Sequence, residues 1–185
     1  MTNVACVANR NQSQLVVVDM QTKLSSVMSE HIDGVIKNCA ILLQSASLLE
    51  IPALFTEQYP KGLGPTLSEL SQYMAGKKAI EKTVFSCCRE PLFSRQLSRD
   101  HSQVILIGME AHICILQTAL DLLAQGKTVF VIEDAVVSRN PENKRNALNR
   151  MREAGAIISN TESLVFEWLG VAEGEAFKKI SQLIR

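Results

Sequence analysis

The sequence predicts an α/β protein in which helices cover both faces of a parallel sheet. Short β-branched runs alternate along the chain with amphipathic segments of crossover length, which is the pattern of parallel βαβ units. Residues 15–18 and 104–108 form almost continuous apolar runs, as expected of strands that are buried on both faces. Ligands of such sheets bind beyond the carboxyl ends of the strands, so the residues that follow each strand are the first candidates for chemistry.

The first half of the chain is predicted to hold three strands and one long helix. Prolines and glycines mark a loop, and apolar residues at helical spacing mark the helix. The predicted elements are a strand at 15–18 that ends at Asp19, a helix at 33–50 capped by Asp33, a strand at 52–56, a loop at 59–65, a short strand at 79–82, and a weak helix after Pro91.

The second half repeats the alternation with clearer boundaries. The predicted elements are a strand at 104–108, a helix at 113–125, a strand at 128–132, a helix at 141–154, a strand at 156–159 and a helix at 175–184. Gly126 and Gly155 follow the first two of these helices, where glycine is a common stop signal. No repeat or linker interrupts the pattern, so residues 1–185 are predicted to form a single domain.

Composition argues against several classes of function. The chain has 185 residues, 46% of them hydrophobic and 21% charged, which suits a folded domain rather than a disordered one. Its 19 basic and 19 acidic residues give a formal net charge of zero, so the basic excess of a polyanion binder is missing. No apolar run reaches the roughly 18 residues of a membrane span, and residues 1–14 lack the apolar stretch of a signal peptide. We therefore predict neither a nucleic-acid partner nor a membrane partner.

Cysteine usage indicates a reducing compartment. The five cysteines are Cys6, Cys39, Cys87, Cys88 and Cys114. An odd number, an adjacent pair and no export signal suit free thiols better than a disulfide framework, so we predict a cytoplasmic protein. Cys39 falls in the apolar stripe of a predicted helix, and Cys87 and Cys88 are also expected to serve packing.

Motifs for bound cofactors are incomplete. Residues 126–128 (GKT) resemble the end of a P-loop, but they follow a helix and Asp121 stands where that motif requires glycine. Gly62 and Gly64 lack the third glycine and the preceding strand of a dinucleotide site. The histidines are scattered rather than paired: His31, His101 and His112. We predict no cofactor and no metal.

Three strand ends carry candidate reactive groups, namely Asp19, Lys82 and Cys114. A thiol at the start of a helix lies at the positive end of the helix dipole, and a nearby lysine would further favour its thiolate. A carboxylate can take the thiol proton and return it to a leaving group, while helix N–H groups can bind an oxyanion. From spacing alone, each residue also has a structural alternative. Asp19 would then cap a turn, Lys82 would be a solvated loop charge, and Cys114 would be one more buried thiol.

At these residues the sequence resembles the isochorismatase-like cysteine hydrolase superfamily, and most closely its isochorismatase domain-containing branch. The resemblance covers residues 15–159, and its strongest stretch is 107–122 (IGMEAHICILQTALDL). Further matching segments are 17–21 (VVDMQ), 82–86 (KTVFS) and 133–139 (EDAVVSR). Several matching segments in the family's order are far more specific than any one of them.

The resemblance implies a doubly wound, three-layer α/β fold with a six-stranded parallel sheet and a catalytic triad. By position, Cys114 is the nucleophile, Asp19 the general acid and base, and Lys82 the residue that orients Asp19 and stabilises the thiolate. The family's cis peptide would be Met109–Glu110, and the backbone N–H groups of Glu110 and Cys114 would form an oxyanion hole. The implied reaction is attack by Cys114 on an amide or related carbonyl, followed by hydrolysis of a thioester.

Sequence differences from other members of the superfamily limit the class of substrate that we expect. Nicotinamidases of the superfamily carry an Asp-x-His metal signature after the second strand, whereas this chain has 57–59 (EQY). Isochorismate-cleaving members generally lack the nucleophilic cysteine, so Cys114 favours amide chemistry. The expected substrate is thus a small molecule bound without a metal. The candidate substrate-binding residues lie beside the strand ends: Gln21, Glu57, Tyr59, Phe85 and Ile113.

Two further possibilities remain at this point. A binding or scaffold protein would retain the hydrolase fold without turnover. A nucleic-acid role is opposed by the mixed charge of the predicted helix at 141–154, whose basic residues alternate with Glu142 and Glu153. The resemblance also implies a homo-oligomer, and Trp168, Leu169 and Val171 would serve either such a contact or core packing.

Overall fold

Six parallel strands form the central sheet of the computed structural model, which describes residues 6–28 and 32–184. The strands are β1 (Ser13–Val18), β2 (Ala53–Gln58), β3 (Ile80–Lys82), β4 (Gln103–Met109), β5 (Thr128–Val137) and β6 (Ile157–Ser159). Their spatial order is β3-β2-β1-β4-β5-β6, and every pairing along it is parallel. The strand order reverses between β1 and β4, so the switch point at which such sheets bind ligands lies there.

Helices cover the two faces of the sheet. The α-helices of the described residues are α1 (Thr22–Ser25), α2 (Ile32–Leu48), α3 (Pro60–Leu63), α4 (Ser68–Ser71), α5 (Pro91–Gln96), α6 (Leu116–Ala124), α7 (Pro141–Glu153), α8 (Thr161–Leu169) and α9 (Gly174–Leu183). Short 3₁₀ turns occur at Gln72–Met74 and Cys87–Arg89, and a π-helical turn at Ala111–Ile115 leads into α6. None of these helices combines the length and the apolar character needed to cross a bilayer.

Two apolar clusters make the protein a three-layer structure. Leu15 and Val17 pack into one cluster with α2, α8 and α9, while Val16 and Val18 pack into the other with α5, α6 and α7. Successive strand residues point to opposite faces, so a strand buried on both faces needs an unbroken apolar run. The predicted fold class, including six parallel strands, is therefore confirmed.

Several element boundaries differ from the prediction. Strand β5 continues to Val137 rather than ending at residue 132, because its pairing with β4 resumes at Val136 after an irregularity that contains Glu133 and Asp134. The predicted loop at 59–65 contains the single turn α3, and Asp33 lies inside the first turn of α2 rather than capping it. His31 lies outside the described residues.

Helix α8 was absent from the sequence prediction. The Asn160 side chain caps it by accepting a hydrogen bond from the Ser163 N–H, and Trp168 and Leu169 pack into the first apolar cluster. Core packing therefore accounts for these two apolar residues, while Val171 remains exposed. The helix holds Trp168 where its indole N–H donates to the Ser13 hydroxyl at the start of β1.

Gly108 in β4 makes the close approach of β4 to β1 possible. Its φ is +119°, and a Cβ added there would lie 2.1 Å from the carbonyl oxygen of Val18. A side chain at this position meets both an unfavourable backbone conformation and a rigid backbone atom. Because Asp19 follows Val18, this contact also fixes the strand end that carries a candidate site residue.

We predict that Gly108→Ala lowers the free energy of unfolding by about 3 kcal/mol or more, through backbone strain and overpacking. Gly34→Ala is the matched control, because Gly34 lies in α2 and an added Cβ there meets nothing within 4 Å. The control is expected to raise stability by about 0.5–1 kcal/mol. Chemical denaturation measures both changes, and equal stability of the two variants would contradict the prediction.

Candidate active site

The three candidate reactive residues meet at the carboxyl edge of the sheet. Asp19 directly follows β1, Lys82 is the last residue of β3, and Cys114 lies in the π-helical turn after β4. Strands β1 and β4 are neighbours, whereas β2 separates β3 from β1. The long side chain of Lys82 spans that intervening strand, which brings its ammonium to the switch point.

A buried ion pair forms the centre of the site. Lys82 Nζ lies 2.7 Å from Asp19 Oδ2, and both side chains are 0% exposed. The same ammonium lies 3.6 Å from Cys114 Sγ, so it contacts both of the other candidates. The structure thus brings together the three residues that the sequence analysis selected.

The ammonium of Lys82 is fully surrounded by acceptors. Besides Asp19, it donates to Gln58 Oε1 at 2.6 Å and approaches the carbonyl oxygens of Val84 at 3.3 Å and Phe85 at 3.2 Å. Burial is the largest single influence and would lower the pKa of Lys82, but the charge and hydrogen bond of Asp19, together with Cys87 and Cys114, more than offset it, and the pKa is raised. Lys82 therefore stays charged, and its structural alternative as a solvated loop charge is wrong.

Gln58 is a site residue that sequence reasoning missed. Its Oε1 accepts from Lys82 and lies 4.0 Å from Cys114 Sγ, while its Nε2 donates to the carbonyl of Thr83 at 2.8 Å. The signal available in the sequence was period-two alternation, because Gln58 ends β2 and shares a face of the strand with Thr56. The residues predicted from the sequence were its neighbours Glu57 and Tyr59.

The backbone of Asp19 takes a left-handed conformation, with φ of 52°. This conformation is uncommon for residues other than glycine, although aspartate tolerates it better than most. Its N–H donates to the carbonyl of Thr56 at 3.1 Å, and its Oδ1 accepts from the Thr56 hydroxyl at 2.7 Å. Asp19 is thereby held by both its main chain and its side chain.

The thiol of Cys114 is protonated in this environment, contrary to the expected acidification at a helix start. Burial raises its pKa far above the ordinary value, and the charge of Asp19 raises it further, whereas Lys82 opposes both effects. The dipole of α6 was expected to lower this pKa, but its effect is smaller because Cys114 lies in the turn before α6 begins. Ionisation therefore needs a proton acceptor, and Asp19 is the nearby carboxylate.

Glu110 lies at the start of the π-helical turn, and the Met109–Glu110 peptide is cis, as the resemblance implied. Its buried carboxylate accepts from the backbone N–H of Arg139 at 3.0 Å, and the Arg139 guanidinium lies 3.1 Å away. The side chain of Glu110 thus connects the end of β4 to the segment that follows β5. The predicted role of the Glu110 backbone N–H as a donor in an oxyanion hole stays a prediction.

The predicted substrate-binding residues fall into two groups. Gln21 and Glu57 use their side chains within the protein: Gln21 Nε2 donates to the carbonyls of Gln58 and Gly64, and Glu57 Oε1 accepts from Thr66. The other group comprises Tyr59 and Phe85, which are about half exposed, and the partly buried Ile113. The second group is open to a ligand in this conformation.

A cleft of about 360 Å³ lies beside β3. Its lining residues are Tyr59, Pro60, Lys61, Glu81, Lys82, Thr83 and Glu90. The cleft reaches the site through Lys82, but neither Asp19 nor Cys114 lines it. Among the described residues, no group of three or more histidine, cysteine or acidic side chains is arranged to hold a metal ion.

The remaining buried thiols stay protonated at neutral pH. Burial raises the pKa of Cys87 to about 11 and that of Cys88 to about 12, and it also raises the pKa of Cys39. Cys39 belongs to the first apolar cluster and Cys87 to the second, as the packing interpretation predicted. Cys87 nevertheless lies 3.8 Å from the Thr56 hydroxyl, next to the ion pair.

Fold and site together define a doubly wound α/β protein with a buried polar centre at its switch point. A family profile described as the isochorismatase domain matches residues 13–163, and the chain belongs to the isochorismatase family. It is 41% identical to isochorismatase domain-containing protein 2 of Danio rerio, over 93% of this chain and 86% of that protein. The resemblance inferred from the sequence segments is confirmed.

Solved structures of related proteins share the whole fold. The structure of MAR1 ribonuclease from Caenorhabditis elegans has a TM-score of 0.90 at 38% identity, over 97% of this chain and 92% of that one. YcaC from Pseudomonas aeruginosa, with hexane-2,5-diol and covalent acrylamide, has a TM-score of 0.88 at 25% identity, over 96% and 91% of the two chains. The family supports an enzyme of the isochorismatase-like hydrolase class.

The charges around Cys114 predict opposite effects of two substitutions on its alkylation by iodoacetamide at neutral pH. Asp19→Asn removes a charge that raises the pKa of the thiol, so Cys114 should react faster. Lys82→Met removes the charge that lowers this pKa, so Cys114 should react more slowly. Each change of one pKa unit alters the thiolate fraction about tenfold. Peptide mass spectrometry measures the rate at Cys114 separately from the other thiols.

The control for these variants is Asp33→Asn, which removes an exposed carboxylate in the first turn of α2. Its alkylation rate should equal that of the wild type. Thermal unfolding shows whether each variant is folded, since breaking a buried pair is destabilising. If Asp19→Asn and Lys82→Met shift the rate in the same direction, the electrostatic account of the thiol is wrong.

Proposed function

We propose that the protein is a cysteine-dependent hydrolase of a small amide-like substrate, with Asp19, Lys82 and Cys114 as its catalytic triad. The observation that carries this proposal is the buried contact of Lys82 with both Asp19 Oδ2 at 2.7 Å and Cys114 Sγ at 3.6 Å. A nucleophile, a base and a group that orients the base are the parts that covalent acyl transfer requires. The confirmed family membership supports the hydrolase class.

The first step forms a thioester. Cys114 Sγ attacks the carbonyl carbon of the amide while its proton passes to Asp19, which is necessary because the buried thiol does not ionise by itself. The negative charge that develops on the carbonyl oxygen is bound by the backbone N–H groups of Glu110 and Cys114. The C–N bond then breaks, and Asp19 returns the proton to the departing amine.

The second step releases the acid. A water molecule takes the place of the amine, and Asp19 accepts one of its protons as the oxygen attacks the thioester carbonyl. The C–S bond breaks, and the proton returns to the sulfur, which restores the thiol. Lys82 keeps its charge in both steps, because its ammonium is held by Asp19 and Gln58 throughout.

The proposed binding residues beside the strand ends suit a small substrate. Tyr59, Phe85 and Ile113 supply apolar contact, while Gln21 and Glu57 shape the site by holding the loop that follows β2. Acrylamide is a small amide and an electrophile, so its covalent attachment in the Pseudomonas aeruginosa relative fits a nucleophile that small amides reach. We propose that the reaction needs no metal and no cofactor.

The name of the Caenorhabditis elegans relative makes RNA the alternative substrate to test. Two of the four basic residues of α7 have acidic neighbours, because Arg145 is paired with Glu142, and Lys144 lies near Glu133 and Asp134. These neighbours reduce the positive charge that α7 offers to a phosphate backbone. A binding or scaffold protein without turnover is the other alternative.

The proposal also covers the cellular compartment and the oligomeric state of the protein. All five cysteines are free, which suits the reducing environment of the cytoplasm. We propose a homo-oligomer, for which Val171 and Phe166 are exposed apolar residues near the C-terminus. Trp168 and Leu169 are not available for that contact, because they pack in the core.

We predict that incubation with a panel of small primary amides produces an acyl adduct on Cys114 and releases ammonia. Cys114→Ala should abolish the adduct and lower the rate of hydrolysis by about 10³-fold or more, because the nucleophile is lost. Intact and peptide mass spectrometry locate the adduct, and an ammonia assay follows turnover. Cys88→Ala is the matched control, since it removes a neighbouring, partly buried thiol outside the triad.

The same experiment separates the alternatives. A scaffold protein would show neither adduct nor ammonia with any amide of the panel. A ribonuclease would cleave a labelled single-stranded RNA at a rate that Cys114→Ala reduces. If Cys114→Ala hydrolysed amides at the wild-type rate, the assignment of Cys114 as the nucleophile would be wrong.

A further inference from the structure

A second chain of hydrogen bonds reaches the Asp19 carboxylate at Oδ1, the oxygen that Lys82 does not bind. Thr56 is 1% exposed, and its hydroxyl lies 2.7 Å from Asp19 Oδ1. The thiol of Cys87, which is 0% exposed, lies 3.8 Å from the same hydroxyl oxygen. The proposed reaction uses neither Thr56 nor Cys87 directly, although both lie next to its base.

The direction of these hydrogen bonds is determined by the groups themselves. An ionised carboxylate only accepts, so the Thr56 hydroxyl must donate its single proton to Asp19. The lone pairs of the hydroxyl oxygen then remain for the S–H group of Cys87. Cys87 keeps that proton at neutral pH, because burial and the charge of Asp19 raise its pKa to about 11.

Both oxygens of the Asp19 carboxylate are therefore fixed. Thr56 binds Oδ1 and Lys82 binds Oδ2, so the carboxylate has one rotational position in which both bonds are made. Thr56 also accepts the Asp19 N–H at its carbonyl, which supports the left-handed backbone there. The register of the sheet explains this contact, since Thr56 pairs with Val18, the residue before Asp19.

We propose that Thr56 is a positioning residue that holds the Asp19 carboxylate in the orientation required for proton transfer with Cys114, and that Cys87 completes this arrangement. This inference rests on the proposed hydrolase function. The titratable groups that face Asp19 are Lys82 from β3, Cys87 from the 3₁₀ turn and Cys114 from the π-helical turn. Thr56 adds an uncharged donor beside these groups, and its hydroxyl binds the carboxylate at 2.7 Å.

The test compares Thr56→Val, which removes only the hydroxyl, with Thr56→Ser, which keeps it. For Thr56→Val we expect kcat for amide hydrolysis to fall roughly tenfold or more, with KM within about twofold. Thr56→Ser should retain most of the activity, because it keeps the hydroxyl that binds the Asp19 carboxylate.

Thr161→Val is the matched control. The Thr161 hydroxyl also donates to a carboxylate, that of Asp134 at 2.9 Å, in a pair that belongs to β5 and α8 rather than to the triad. This variant should leave kcat and KM unchanged. If Thr56→Val does not fold, Thr56→Ala removes the same hydroxyl with less bulk and replaces it in every measurement.

A crystal structure of the Thr56 variant provides a readout that needs no substrate. The inference predicts that the Asp19 carboxylate rotates and that its contact with Lys82 lengthens or breaks. An unchanged carboxylate orientation overturns the inference, and so does a loss of activity in Thr56→Ser equal to that in Thr56→Val. If the wild type hydrolyses none of the amides, the proposed function fails, and the crystal structures alone then decide whether Thr56 holds Asp19.

Discussion

The buried ion pair between Lys82 and Asp19 is the interaction on which the site depends. Taking either charge out of water alone costs several kcal/mol, so each is tolerable only with its partner and its further hydrogen bonds in place. Both side chains are 0% exposed, and they lie 2.7 Å apart. Gln58 accepts a further hydrogen bond from the ammonium, and Thr56 donates one to the carboxylate. The same contacts hold the ammonium 3.6 Å from Cys114 Sγ.

The pair also determines the state of the nucleophile. Burial raises the pKa of Cys114 most, and the charge of Asp19 raises it further against the opposing charge of Lys82, so the thiol keeps its proton. A neutral thiol beside a carboxylate lets the proposed reaction move a proton within the site as the new bond forms. Structural strain at the left-handed backbone of Asp19 is held in place by Thr56 and by the tight contact of β1 with Gly108.

Sequence reasoning could find the three central residues because parallel strands place their carboxyl ends at one edge. Alternation places Thr56 and Gln58 on one face of β2, but it does not give their partners, because these depend on strand register: Gln58 pairs with Lys82, and Thr56 pairs with the residue before Asp19. The prediction of an acidic Cys114 thiol was wrong for a similar reason. Burial raises its pKa, and the depth of burial depends on tertiary structure. Helix α8 was not predicted, because its apolar residues were not considered together as the buried face of a helix and Asn160 was not recognised as its N-cap.

A double-mutant cycle on the ion pair tests the central claim most directly. Asp19→Asn and Lys82→Met should each lower the free energy of unfolding by about 3–5 kcal/mol, because each leaves a buried group without its partner. The double variant should lose less than the sum of the two, with a coupling of about 2–3 kcal/mol in urea denaturation. Additive losses, within about 0.5 kcal/mol, would contradict the claim that this pair organises the site.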